Sequence, residues 1–237
     1  MTLYSAWFCP FAQRAWMALL NQSIDFNYIE IDPYEKTEEW LAISKNTGQV
    51  PVLKYLDTPK QENTLVDSTA IVDFLDQRNP KAPSLFSNNP EERRKQEQWI
   101  AHINKKIIPY IYRYLKAVTP GKERDDAKNE LVKGVTEFAQ EMTSNAGPYF
   151  NGGQLSAVDI SFAPFAYRID LLLKHYRGFS LPEIGDVWER YDQWYKTAIK
   201  HPAFEETSVT LKDYNKHLID FYLPYSKGDG QKDVSEL

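Results

Sequence analysis

Thr2-Leu3-Tyr4-Ser5-Ala6-Trp7-Phe8-Cys9-Pro10-Phe11-Ala12-Gln13-Arg14 is the stretch whose reading decides the fold. Its first five residues have the character of a strand, and the apolar run from Phe11 to Asn21 reads as a helix. Pro10 sits where that helix begins, a position at which its missing N–H costs nothing and its fixed φ is already helical. Cys9 therefore falls at the N-cap, with its sulfur near the unpaired amides of Phe11 and Ala12 and the positive end of the helix dipole. A free cysteine of pKa ~8.5 is only about 3% ionised at pH 7, whereas helix N-termini bring thiols to roughly 3.5–7.5. A lone cysteine is by default a small buried apolar residue. A proline directly after it, at a strand-to-helix junction, turns the reading toward a reactive thiolate. Position 12 holds Ala12 rather than a second cysteine, so a mixed disulfide at Cys9 has to be resolved by an external thiol.

Downstream, Phe26-Asn27-Tyr28-Ile29-Glu30-Ile31 alternates as a second strand. Residues 50–56 and 64–66 make a further strand pair joined by a polar turn. Ser68 then caps a helix over 69–77, whose Ile71, Val72, Phe74 and Leu75 favour one face. The resulting order, β-α-β-α-β-β-α, predicts a right-handed parallel crossover followed by a hairpin. From Asn79-Pro80 to Asn89-Pro90 the chain is rich in Pro, Ser and Asn and reads as a linker. Beyond it the pattern is helical. One long amphipathic helix is expected over 91–118, kinked near Pro109, with Trp99, Ile103, Ile107, Tyr110 and Tyr114 facing inward. Others are expected at about 122–143, 157–175, 183–200 and 208–221. The predicted organisation is a small α/β domain over 1–79, a linker over 80–90, an all-α domain over 91–225 and a tail without fixed structure over 226–237.

The composition narrows the function classes. Among 237 residues there are 28 basic and 33 acidic side chains, a formal charge of −5. That balance argues against a nucleic-acid partner, which normally meets excess Lys and Arg. One cysteine allows no disulfide within the chain. His102, His175, His201 and His217 are far apart and lack the ligand spacings of a zinc site, so no metal is expected. No apolar run approaches the roughly 20 residues of a spanning helix, and the N-terminus has no secretory pattern, so a cytoplasmic protein without stable membrane insertion is expected. Phosphate-loop, serine-elbow and dinucleotide motifs do not occur.

Taken together, Cys9-Pro10-Phe11-Ala12-Gln13-Arg14, Gly48-Gln49-Val50-Pro51-Val52-Leu53 and Val66-Asp67-Ser68 before a helix resemble the omega-class glutathione transferases. Ser156-Ala157-Val158-Asp159 is similar to the capping box in the helical domain of that family, so the resemblance covers nearly the whole chain. It implies a thioredoxin-like N-terminal domain that binds glutathione, followed by a C-terminal helical bundle that binds a second substrate. Glutathione would be the cosubstrate. Cys9 would be the catalytic residue, with Phe11, Gln49, Val50, Pro51, Asp67 and Ser68 at glutathione. Val50-Pro51 would be the family's cis peptide, turning the Val50 backbone toward the cysteinyl part of glutathione. Asp67, where the family more often has Glu, would sit with Ser68 at the γ-glutamyl end. The family's lysine at the glycyl end falls on Thr37, with Lys36 beside it. Phe165 and Arg168 follow Pro164 at the spacing of residues lining the second-substrate pocket, the alternatives being a core aromatic and a solvated arginine; Tyr110 and Tyr114 would face the same cleft or else pack in the core. The family usually has a proline-rich extension before the first strand, whereas here the strand begins at Thr2.

The activity this implies is glutathione-dependent thiol transfer and reduction. It includes deglutathionylation and dehydroascorbate reductase-type turnover, through a Cys9 mixed disulfide with glutathione. The second substrate would be a small disulfide, ketone or quinone, and the assembly a homodimer. Two alternatives stay open. A chloride-intracellular-channel-like protein shares Cys-Pro-Phe with a following Gln-Arg, and a non-catalytic transferase-like protein would bind or regulate without turnover.

Overall fold

The computed structural model describes residues 1–58, 61–209 and 212–230. β1 (Thr2–Ser5), α1 (Pro10–Asn21) and β2 (Asn27–Glu30) form the parallel crossover, with Leu3 opposite Tyr28. After α2 (Glu38–Ile43), β3 (Val52–Thr58) runs antiparallel to β1 with Leu3 opposite Leu53. β4 (Gln61–Val66) completes the hairpin and α3 (Ser68–Arg78) follows, giving a mixed sheet of order β2-β1-β3-β4.

Alternation along the strands divides this domain's interior between two faces. Leu3 and Leu53 join Met17 and Leu19 of α1 and Ile71 and Leu75 of α3. Their neighbours Tyr4 and Val52 point the other way, onto Trp40 of α2 and Val50. Full burial of side chains of this size contributes roughly 1.5–3 kcal/mol each. The first face thereby fixes α1 against the sheet, and with it the residue at its N-terminus.

The second half is helical: α4 (Pro90–His102), α5 (Ile108–Lys116), α6 (Lys122–Met142), α7 (Ala157–Arg168), α8 (Lys174–Arg177), α9 (Asp186–Ile199), α10 (Pro202–Val209) and α11 (Tyr214–Ser226). The helix expected over 91–118 is two helices joined by a π-helical turn at Ile103–Ile107. Pro109 offers no N–H and crowds the carbonyl four residues back, so the ladder widens just before it. A second π turn, Ile169–Leu173, joins α7 to α8. The single helix expected over 208–221 is replaced by α10 and α11. Pro202 opens α10, and the chain leaves a left-handed Asp213 (φ 60°) into α11, which continues past Pro224 to Ser226. The tail expected over 226–237 falls largely outside the described residues. The linker region holds no regular element between α3 and α4, yet it is docked rather than loose. Leu85 and Phe86 are buried, and their amides donate to Asp76 at 2.6 and 3.3 Å.

At the start of α7 the Asp159 carboxylate reaches back to the Ser156 amide (2.8 Å) and hydroxyl (2.6 Å). It also accepts from the Phe150 amide (2.9 Å) and from Trp194 Nε1 (2.7 Å), all in the interior. One carboxylate thus fixes the α7 N-terminus, the turn before it and the core face of α9. Asp159→Ala strands these buried donors, at about 1–3 kcal/mol each where no water replaces the acceptor. The expected outcome is a loss of about 3 kcal/mol or more in urea unfolding, with Asp159→Asn less severe.

Candidate active site

Cys9 occupies the N-cap of α1 in extended conformation (φ −81°, ψ 116°), with Pro10 in the first turn. Its carbonyl accepts from the Gln13 amide at 3.0 Å, and its own amide donates to the Ala6 carbonyl at 2.9 Å, so the loop from β1 is held at both ends. The residue is half-buried and lines a cavity of about 410 Å³, within the size range of small-molecule sites. Across from it, the Val50 carbonyl oxygen lies 4.0 Å from Sγ, and the Val50-Pro51 peptide is cis.

The thiol does not titrate as the motif alone suggests. Burial pushes the Cys9 pKa up. The amides of Ala12 and Phe11 and the guanidiniums of Arg168 and Arg14 pull it down without cancelling that effect. The expectation of a depressed pKa is therefore corrected for the free protein. The helix amides act on the sulfur, but the surrounding protein removes more water than they replace.

At one end of the cavity stand Asp67, Ser68 and Thr69 at the start of α3. Asp67 adopts φ 80°, and its Oδ1 accepts the amides of Thr69 and Ala70 at 2.9 Å each. Beneath them lies Arg14, 1% exposed, which donates to the Ser161 carbonyl (2.9 Å), Asn104 Oδ1 (2.8 Å) and Ser68 Oγ (3.4 Å). Burial draws its pKa down to about 9 against the raising influence of Asp67. Elsewhere along the cavity are Lys36 and Gln49. Thr37 spends its hydroxyl capping α2, accepting from the Trp40 amide at 3.1 Å, so of this pair it is Lys36 that reaches the cavity. The Lys36 stem lies against Gly48 (φ 62°), where an added Cβ would come within 3.1 Å of it.

The expected second-substrate residues lie elsewhere. Phe165 is wholly buried, edge-on to Phe11 at 4.9 Å and under the Arg14 guanidinium at 4.8 Å. Arg168 is buried behind the Phe8–Cys9 turn, donating to the Phe8 carbonyl at 2.8 Å. Tyr114 packs edge-on to Phe179, and Tyr110 lies beside Arg113. None of the four lines the cavity, which corrects that expectation. Tyr110 and Tyr114 are four residues apart on α5 and share a face, while Tyr112, between them, points the other way and does line it. The remaining wall is aromatic and comes from α11. Phe221 stacks on Phe8 (centroids 3.9 Å apart), and the hydroxyls of Tyr225 and Tyr34 meet at 3.1 Å, with Tyr222 alongside. Sequence reasoning missed Arg14, Asn104, Tyr34, Tyr112 and these α11 residues. The available signals were a charge amid the apolar positions of α1 and the aromatic spacing Phe221, Tyr222, Tyr225. Among the described residues no His, Cys, Asp and Glu cluster suited to a metal ion occurs, and no helix is long and apolar enough to cross a membrane.

A mixed four-stranded domain joined to a helical one, with a thiol at a helix N-terminus facing a cis-proline loop, is the architecture of the two-domain transferases. The chain belongs to the glutathione transferase family: models described as the glutathione S-transferase N-terminal and C-terminal domains match residues 3–84 and 98–197. Glutathione S-transferase DHAR2 of Arabidopsis thaliana is 30% identical over 201 residues, covering 85% of this chain and 84% of that protein. Glutathione S-transferase omega-1 of Sus scrofa is 26% identical, covering 94% and 86%. The crystal structure of glutathione transferase Omega 3C from Trametes versicolor superposes with a TM-score of 0.78 at 27% identity, covering 94% of this chain and 89% of that one. Two chloroplastic DHAR relatives, from Oryza sativa and Arabidopsis thaliana, are longer; the chain spans 67% and 60% of their lengths.

Because burial dominates at Cys9, the free protein holds mainly thiol at neutral pH. Iodoacetamide alkylation of Cys9 is expected to rise with pH through a midpoint above about 8.5, the value of an exposed cysteine. A midpoint below that would mean the amides and guanidiniums outweigh burial.

Proposed function

We propose that this protein is a glutathione-dependent thiol transferase and reductase in which Cys9 is the nucleophile. The observation that carries the reading is the Cys9 sulfur at the cavity wall, opposite the Val50 carbonyl, in a cavity that the N-terminus of α3 closes at one end. The cavity also suits the charges of glutathione. Asp67 can accept from the γ-glutamyl ammonium, and Ser68 with the first amides of α3 suits the neighbouring carboxylate. The Val50 backbone pairs with the cysteinyl unit, flanked by Phe11 and Pro51, and Lys36 with Gln49 takes the glycyl carboxylate. The aromatic wall of Phe8, Tyr112, Phe221 and Tyr222 leaves an apolar space for a flat second substrate.

In the reaction, the Cys9 thiolate attacks the glutathionyl sulfur of a mixed disulfide R–S–SG. Cys9–S–SG forms, and R–S⁻ leaves and takes up a proton. With an S-glutathionyl ketone the same attack releases the enolate, which is protonated to the ketone. A second glutathione, as thiolate, attacks the Cys9 mixed disulfide, giving oxidised glutathione and restoring the Cys9 thiolate. With R–S–SG the cycle is a thiol–disulfide exchange, one glutathione and the mixed disulfide giving R–SH and oxidised glutathione; with the S-glutathionyl ketone the two glutathionyl sulfurs supply the two electrons that reduce the carbon. Relatives named DHAR support dehydroascorbate as a further acceptor to assay. By the same family likeness the protein is read as a homodimer in the cytoplasm, and light scattering in solution would give twice the chain mass.

Cys9→Ala is expected to abolish thiol transfer to hydroxyethyl disulfide, at least a hundredfold, with retained binding to immobilised glutathione and a gain in conjugation of electrophiles. Undiminished thiol transfer in Cys9→Ala overturns the mechanism. Lys36→Ala and Asp67→Asn each remove a charged contact of about 1 kcal/mol. Steady-state kinetics should show KM for glutathione raised roughly fivefold, with kcat changed much less.

A further inference from the structure

Arg168 is a buried cation without a matching anion. It is 1% exposed, and the acceptors it reaches are neutral at pH 7: the Pro164 carbonyl at 2.7 Å, the Phe8 carbonyl at 2.8 Å, Gln13 Oε1 at 3.0 Å, the Tyr214 hydroxyl at 3.5 Å and the Tyr222 hydroxyl, with Tyr112 a further titratable group that acts on it. Its Nε is buried with no hydrogen-bond partner, and none of the ion pairs among the described residues includes it. A guanidinium taken out of water with no counter-charge is strongly unfavourable. Arg14, equally buried, differs in that the charge of Asp67 acts on it. The contacts of Arg168 converge on one place. Nη2 holds the carbonyl of the residue before Cys9, and Nη1 holds Gln13, in the first turn that Cys9 caps. Gln13 in turn donates to Thr207 at 2.9 Å, so α1, α7 and α10 are pinned by one set of hydrogen bonds. The positive charge of Arg168 acts on the Cys9 sulfur in favour of its ionised form.

We propose that Arg168 is a positioning residue for the Cys9 reaction, clamping the Phe8–Cys9 turn to α7 and supplying the positive charge that the Cys9 thiolate neutralises. This rests on the reading of Cys9 as nucleophile. Arg168 does not line the cavity, so it acts through the turn and through its field rather than by touching substrate. The missing counter-charge then appears only when Cys9 loses its proton, which makes ionisation of the thiol and compensation of the buried cation a single event. The same negative charge forms again whenever glutathione resolves the mixed disulfide.

The test is iodoacetamide alkylation of Cys9 across pH in the full chain, comparing wild type with Arg168→Lys, Arg168→Gln and Arg168→Met, each checked for folding by circular dichroism. The neutral variants should move the alkylation midpoint upward by about one pH unit or more, a roughly tenfold loss of thiolate at pH 7. Arg168→Lys should recover most of the shift. Thiol transfer at pH 7 should fall by the same factor in the neutral variants and return as the pH is raised, with KM for glutathione little altered. If Arg168→Met does not fold, Arg168→Gln, which keeps a hydrogen-bonding side chain, carries the neutral arm. A midpoint that stays in place while activity drops equally at every pH overturns the proposal, since that is what a purely structural arginine would do. Alkylation needs no glutathione, so a wild-type protein without thiol transfer would sink the proposed function and leave this comparison standing. An unmoved midpoint with thiol transfer intact would sink only the role of Arg168.

Discussion

The arrangement depends on the hydrogen bonds of one buried guanidinium, that of Arg14. Through Ser161 it fixes α1 to α7, through Asn104 to the π turn after α4, and through Ser68 to the start of α3. The last contact sets the distance between the cysteine-bearing turn and the helix N-terminus at the far end of the cavity. A lysine could not make these contacts together, because a single ammonium lacks the planar fork that addresses acceptors on different elements. The edge-to-face rings of Phe11 and Phe165 beside this guanidinium exclude water from it. Exclusion of water raises the cost of misplacing any of the acceptors.

The β-α-β-α-β-β-α order was legible because several elements carry a strong local signal, among them the alternation at Tyr28–Ile31 and the proline at the first turn of α1; the cap of α3 is Asp67 rather than the expected Ser68, which is the first residue of the helix. The N-cap position of Cys9 follows from those elements, whereas the meeting of Lys36, Gln49, Val50, Asp67 and Ser68 in one cavity was implied by the omega-class resemblance and not by local pattern. What local patterning could not supply was the competition between forces at the sulfur. The motif announces the amides of Phe11 and Ala12, but the apolar cluster against which Cys9 packs also takes in Trp40, Val50 and Val52, far along the chain.

The same limit explains the misplaced cavity wall. Tyr110, Tyr114, Phe165 and Arg168 are aromatic or charged residues on helices near the site, and their types are compatible with lining a pocket. Which of them does so depends on the rotation of each helix about its axis. The π turns at Ile103–Ile107 and Ile169–Leu173 alter that rotation by adding a residue to a turn. No composition or spacing rule announces such a turn with enough accuracy to say that Tyr112, and not its neighbours, faces inward. The two-helix ending was hidden for a related reason: Pro202 starts a helix, and Pro224 does not stop one.

The cavity is roofed by the last helix described and floored by the first turn of the chain. Tyr34 and Tyr225, whose hydroxyls meet above it, are 191 positions apart. Synthesis from the N-terminus therefore exposes the Cys9 sulfur on the nascent chain long before its cover has left the ribosome. Contacts of such separation close late, because the intervening polypeptide must be ordered first. During that interval Cys9 is open to adventitious oxidants and electrophiles, so the covering of this thiol is a property only of the finished molecule.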